Sequence, residues 1–180
     1  MRIISGIYKG RRINAPKKLP VRPTTDMAKE GLFNILNNRY YFDELNVLDL
    51  FAGTGNISYE FASRGTDKIT CVDQDYGCIK FINDTAKQFE MSILTIKVDV
   101  FKFLKQTHLQ HTIIFADPPY NFSSEEFETI PNLVFGNELL EKDGLLIIEH
   151  SKHTNLSHLE HYEQSKSYGG NLFSFFKIQS

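Results

Sequence analysis

The sequence predicts an α/β fold, a mostly parallel seven-stranded sheet with an antiparallel C-terminal hairpin, preceded by a small basic β-hairpin extension. Three observations predict it. From Val47 onward, short apolar runs alternate with stretches of helical periodicity, and parallel neighbours need crossover connections of that kind. The last two apolar runs are separated instead by a turn containing Gly169 and Gly170, which marks a hairpin. Ahead of the first helix, short apolar and basic stretches alternate around Gly6 and Gly10.

Each element has its own reason. Residues 1–25 read as the extension, a two-stranded ribbon followed by a loop in which Pro16, Pro20 and Pro23 break regular structure. The main domain then spans residues 26–180. From Asp26 to Asn38, Ala28, Leu32, Ile35 and Leu36 recur at helical spacing, with Thr25 or Asp26 available as cap. Strands are expected over Val47–Leu50, Lys68–Val72, Ile93–Val98, Thr112–Ala116 and Leu145–Ile148, and helices near residues 57–64, 76–90, 100–107 and 125–140. Ser123 and Glu126 form a capping box for the last of these, with Glu125, Glu126 and Glu128 as its negative first turn. His158–Gln164 and Asn171–Ile178 supply the terminal hairpin.

With 180 residues, 41% of them hydrophobic, the chain suits one sizeable core. No apolar run reaches the roughly 20 residues needed to span a bilayer, and Gly6 with the following basic residues argues against a secretory leader. Cys71 and Cys78 read as reduced thiols of a cytoplasmic protein. The absence of a coiled-coil pattern makes a monomer the default. The net charge of -2 hides a division: residues 1–30 carry +6 and the rest -8. Such a split marks a basic arm for a polyanion on an acidic body.

In an open sheet, ligands bind at the carboxyl ends of the strands, where the topology reverses. Acids fall there four times: Asp49 ends the first strand, Asp73 the second, Asp99 the third and Asp117 the fourth. Gly53-Thr54-Gly55 after the first strand lets backbone approach a ligand closely, although Ser58 breaks the dinucleotide fingerprint. Asp73 can accept from both hydroxyls of a ribose and disfavours a phosphorylated one. A nicotinamide nucleotide would also suit the turn, but four acids on one rim fit a phosphate-free cationic cofactor better, such as the sulfonium of S-adenosylmethionine. Asp117-Pro118-Pro119-Tyr120 is the most specific motif. Its prolines stiffen the loop, so the Asp117 carboxylate and Pro118 carbonyl can take the two hydrogens of a planar exocyclic amine while Tyr120 stacks on the base, worth about 1–3 kcal/mol.

Asp49–Gly55 with Asp117–Tyr120 resembles the class I methyltransferases that modify amino groups of nucleobases. The whole chain is similar to the RsmD-like 16S ribosomal RNA guanine-N2 methyltransferases. The likeness runs through Arg2-Ile3-Ile4-Ser5-Gly6, Lys9-Gly10-Arg11, Arg22-Pro23-Thr24-Thr25-Asp26, Glu30, Leu32-Phe33-Asn34 and Ser63-Arg64-Gly65. Met27 stands where the family commonly has a basic residue, and Ser58 where it has Gly. The resemblance implies a Rossmann-like fold with S-adenosylmethionine as cofactor and 16S RNA, free or in a small-subunit particle, as partner. It implies that Asp49, Phe51, Gly53 and Gly55 surround the methionine portion, Asp73 the ribose, and Asp99 with Val100 the adenine; Asp99 is equally placed to cap the following helix. Asp117, Pro118, Pro119 and Tyr120 would hold the guanine. Lys9, Arg11, Arg12 and Arg22, with Thr24 and Thr25, would contact RNA, the basic residues through its phosphates.

Two rival readings stay open. A DNA adenine-N6 or cytosine-N4 methyltransferase uses a similar Asp-Pro-Pro-Tyr loop, but such enzymes usually carry a larger target-recognition region than this chain has room for. A non-catalytic RNA-binding assembly factor would keep the fold without the reaction. His150, His153, His158 and His161 crowd together, yet no Cys joins them and no metal is expected.

Overall fold

The computed structural model describes residues 1–19 and 24–178. Its strands are β1 (Asn46–Leu50), β2 (Lys68–Asp73), β3 (Ile93–Lys97), β4 (His111–Ala116), β5 (Leu140–Ser151), β6 (Tyr162–Tyr168) and β7 (Asn171–Phe176). Its helices are α1 (Asp26–Asn37), α2 (Asn56–Ser63), α3 (Tyr76–Gln88), α4 (Val100–Gln106) and α5 (Ser124–Gly136). The strands form one seven-stranded sheet in the order β3-β2-β1-β4-β5-β7-β6. β1 to β5 run parallel, and β7 enters antiparallel between β5 and β6. The chain therefore winds outward from β1 to β3, then resumes at β4 on the other side of β1, which puts the topological switch between β1 and β4.

Both faces of the sheet are covered. Val47, Phe115 and Ile147 pack with α1 and α2 residues such as Leu32, Phe33 and Phe61. Leu48, Ile114 and Ile148 face α4 and α5, meeting Leu104, Phe127 and Ile130. Successive side chains of a strand point to opposite faces, so strands buried on both sides become the continuous apolar runs seen in the sequence. Each fully buried Leu, Ile or Phe contributes about 1.5–3 kcal/mol.

Helix starts follow the expected chemistry. Thr25 Oγ1 accepts from the Ala28 amide at 3.2 Å and caps α1. Ser123 and Glu126 form the reciprocal box at the start of α5. That helix stops at Gly136, short of residue 140, because the chain turns through Asn137 and Glu138, whose φ is 54°, before β5 begins at Leu140. β6 begins later than expected, at Tyr162.

The N-terminal extension doubles back as a short antiparallel ribbon. The Ile3 amide donates to the Arg11 carbonyl at 2.9 Å, the Gly10 amide to the Ile3 carbonyl at 2.8 Å and the Ile13 amide to the Met1 carbonyl at 3.0 Å, around a bridge between Arg2 and Arg12. The turn segment is fastened to α2: Ile4 and Ser5 donate to the Glu60 carboxylate at 2.8 and 3.0 Å, and Ile7 to the Ser63 carbonyl at 2.8 Å. With Ile3 and Ile13 buried in the α1–α2 cluster, the ribbon is sealed onto α2. No helix among the described residues is long and apolar enough to cross a membrane.

Candidate active site

The carboxyl ends of β1 to β4 open on one cavity of about 850 Å³, within the range of small-molecule sites. Its lining includes six carboxylates, from Asp49, Asp73, Asp75, Asp99, Asp117 and Glu126, and no Lys, Arg or His among the described residues. The four strand-end acids expected from the sequence are thus brought together, with Phe51, Gly53, Val100 and the Asp117–Tyr120 loop in the same wall.

The turn after β1 is held from both ends. Phe51, Gly53 and Gly55 all have left-handed backbone, with φ of 56°, 53° and 78°. Gly55 precedes α2 and fits only without a side chain, since a Cβ there would lie 2.9 Å from the Tyr59 ring and 3.0 Å from Ile82. Phe51 is a strained exception, because a bulky residue rarely adopts φ > 0. Its ring packs edge-on against Phe101 and Phe122, which stack on each other at 5.8 Å. The sequence did not single out Phe101 and Phe122, which join Ile57 and Phe115 in the apolar part of the cavity wall.

Each acid has a distinct environment. Asp49 is buried, and its Oδ2 accepts from the Ser58 hydroxyl at 2.6 Å. Burial pushes its carboxyl up to about 7, against the opposing effect of that hydrogen bond. Asp73 clamps the turn, accepting from the Gly53 amide at 2.8 Å on one oxygen and from the Asp75 amide at 2.8 Å on the other. Asp75 caps α3 through the Cys78 amide. Asp99 caps α4 through the Lys102 amide at 2.9 Å, so the capping reading of this residue holds while it also faces the cavity.

Asp117 stands at the switch beside β1. Burial, then the negative charges of Glu149 and Asp49, raises its carboxyl well above the ordinary range. Tyr120 is 57% exposed at the mouth of the cavity, so the loop does not bury it as a core residue.

Glu149 was not singled out from the sequence. It is a buried carboxylate on β5, one residue past the Ala116 and Ile148 pair, and so lies beside Asp117 in register. It accepts from the Thr24 hydroxyl at 2.6 Å and from the Asn171 amide. Burial raises its carboxyl too, against the effect of those two hydrogen bonds. No local motif surrounds it; its signal lay only in the strand register.

The residues expected to contact RNA separate into groups. Lys9, Arg11 and Arg12 are exposed on the extension. Arg22 lies outside the described residues. Thr24 is 6% exposed, gives its hydroxyl to Glu149 and belongs to the cavity wall. Thr25 is exposed, with its hydroxyl oxygen engaged in the α1 cap. The histidines have separate duties. His150 is buried against Ser174, His161 stacks on Phe135, His158 meets Glu128 and His153 is exposed.

The family model described as "Conserved hypothetical protein 95" matches residues 1–177. The chain is 34% identical over 161 residues to the "Putative rRNA methyltransferase YlbH" of Bacillus subtilis, a match covering 87% of this chain and 85% of that one. It is 33% identical over 150 residues to the "Ribosomal RNA small subunit methyltransferase D" of Escherichia coli K12, covering 83% and 74%. The solved structure of "Putative methyltransferase yhhF" from Escherichia coli superposes with a TM-score of 0.84 at 27% identity, covering 98% of this chain and 96% of that one. With one family model running through nearly its whole length and relatives above 30% identity along most of it, the chain belongs to the RsmD-like methyltransferase family and has its class I, Rossmann-like fold.

Proposed function

We propose that the protein transfers a methyl group from S-adenosylmethionine to the exocyclic N2 amine of a guanine in small-subunit ribosomal RNA. The observation that carries this reading is the cavity itself: acids without a basic residue among its described lining, joined to a stiff Asp-Pro-Pro-Tyr loop at its mouth. A phosphate-bearing nucleotide would meet repulsion there, whereas a cation is stabilised. The names of the relatives point the same way.

When bound, the cofactor supplies an electrophilic methyl on a sulfonium. The chain's residues do the rest. Asp49 faces the cationic methionine portion, Asp73 the ribose, and Val100 with Asp99 the adenine side. The guanine amine is a poor nucleophile because its lone pair is delocalised into the ring. Asp117 and the Pro118 carbonyl take its hydrogens and aim the nitrogen, positioning that is worth several kcal/mol. Asp117 also stabilises positive charge as it develops on that nitrogen. Tyr120 stacks on a base that must be unpaired or flipped out to reach the site. Lys9, Arg11 and Arg12 hold phosphates outside the cavity and orient the RNA without reading its sequence.

The test pairs two substrates and one variant. Purified protein with labelled S-adenosylmethionine should methylate small-subunit RNA at guanine N2 and leave duplex DNA unlabelled. Asp117→Ala should lower transfer by about 10²–10³-fold with RNA binding retained. Label in DNA instead of RNA, or uptake of a nicotinamide nucleotide in place of the sulfonium donor, would overturn the reading.

A further inference from the structure

Resting on that reading, we infer that Glu149 is a positioning residue of the transfer: set beside Asp117 and gripped by Thr24 and Asn171, it holds a negative charge that directs the amine's proton to the Asp117 carboxylate. The geometry is specific. Ala116 pairs with Ile148 in parallel register, so the next residues on the two strands, Asp117 and Glu149, stand one strand spacing apart, about 4.8 Å. Glu149 does not line the cavity but sits behind it, 2% exposed, and its two partners come from segments far apart in the chain. Thr24 precedes α1 and Asn171 opens β7.

A buried carboxylate without a cation is costly, and neither hydroxyl nor amide supplies a positive charge. Among the described residues, the titratable groups facing Asp117 are Glu149 from β5 and Asp49 from β1. His150, the next residue on β5, turns to the other face, where it bonds Ser174 and meets the Phe127 ring. Among the described residues the cluster is thus an excess of negative charge with hydroxyl and amide donors, suited to attract a proton. In the transfer the N–C bond forms as the C–S bond breaks, and the C–S electron pair leaves on sulfur as a neutral thioether. The nitrogen, now cationic, releases one proton to an Asp117 oxygen, from which it passes to water.

Glu149→Gln keeps the shape and removes the charge; Thr24 can still donate to the new carbonyl, and Asn171 can turn its amide to accept. Because a neighbouring negative charge raises the Asp117 carboxyl, its loss should move the acid limb of the kcat profile to lower pH. The plateau of kcat should fall about tenfold as Asp117 becomes a weaker base, with KM for RNA unchanged. Glu149→Asp, which restores the charge, should return the limb toward its original position. Should Glu149→Gln fail to fold, Asn171→Leu removes one donor that keeps Glu149 ionised, and the limb should move the same way. An unmoved limb and plateau in a folded variant, with Asp117→Ala inactive, would overturn the role of Glu149 alone. Transfer that survives in Asp117→Ala would instead overturn the reading on which it rests.

Discussion

Replacing Ser58 by Ala tests whether Asp49 must be ionised to hold the cofactor. The Ser58 hydroxyl lies 2.6 Å from Asp49 Oδ2, and both groups are buried. A hydrogen bond to a charged group is worth about 1.5–3 kcal/mol, and one pKa unit corresponds to about 1.4 kcal/mol. The carboxyl, at about 7 with the bond in place, should therefore rise by about one to two units without it. A ligand carrying an ammonium favours the ionised form, so wild-type affinity should increase as pH rises through about 7. In Ser58→Ala that increase should come later. Half the wild-type sites are ionised near pH 7, against roughly a tenth to a hundredth in the variant, so binding should weaken about five- to fifty-fold there and converge above about pH 9. Calorimetric titration with S-adenosylhomocysteine, which keeps the methionine ammonium, measures this across the pH range. Ala is a better helix former than Ser, so α2 should persist, as a thermal melt would confirm. Equal weakening at every pH would mean that a packing contact was lost and would refute the electrostatic argument, as would no weakening at all.

Two further perturbations address the extension and its anchor. Gly6→Ala would drive a Cβ to 1.8 Å from the Ser63 carbonyl oxygen, a backbone atom that cannot yield, at a residue with φ +82°. The extension should lift from α2, weakening RNA binding at least about tenfold by fluorescence anisotropy while affinity for S-adenosylhomocysteine stays unchanged; unaltered RNA binding would remove the extension from the interface. Lys29→Met removes a buried ammonium that donates to the Arg2 carbonyl at 2.6 Å and Asn56 at 2.8 Å and lies 3.6 Å from Glu60. Denaturant unfolding should show a loss of about 3 kcal/mol, and a loss below about 1 kcal/mol would mean that Arg64 alone satisfies Glu60.

What could be read from the sequence was whatever one contiguous segment encodes. Thr25 before an apolar helical run, Ser123 three residues ahead of Glu126, and an acid at or just past the end of each of β1 to β4 are local signals, and the structure places each as expected. What escaped notice depends on partners far along the chain. Ile147-Ile148-Glu149-His150 reads as the end of a buried strand, and nothing beside Glu149 announces that its partners are Thr24, 125 residues before it, and Asn171, 22 after. The extension divides between the two cases. Its alternating pattern announces the ribbon, which forms between residues 1–3 and 10–13, but nothing local announces that a carboxylate 56 residues away takes the Ile4 amide.

The buried acids themselves fall into two classes, and the difference connects fold to function. Glu60 is surrounded by compensation: Lys29, Arg64 at 2.9 Å and the amides of Ile4 and Ser5. That arrangement fastens the extension, α1 and α2 together and leaves nothing for a ligand. Asp49, Asp117 and Glu149 have no cation beside them among the described residues; the Asp49 carboxylate accepts from Ser58 and that of Glu149 from Thr24 and Asn171. Burial of such groups opposes their ionisation, which is why the carboxyls of all three lie above their ordinary range. Folding alone does not offset this cost, whereas a cation arriving in the cavity does, and binding to the folded state alone stabilises it by mass action. The same chain thus neutralises the acid that builds the scaffold and, among the described residues, leaves without a cation the three buried acids that line the cavity or stand directly behind it.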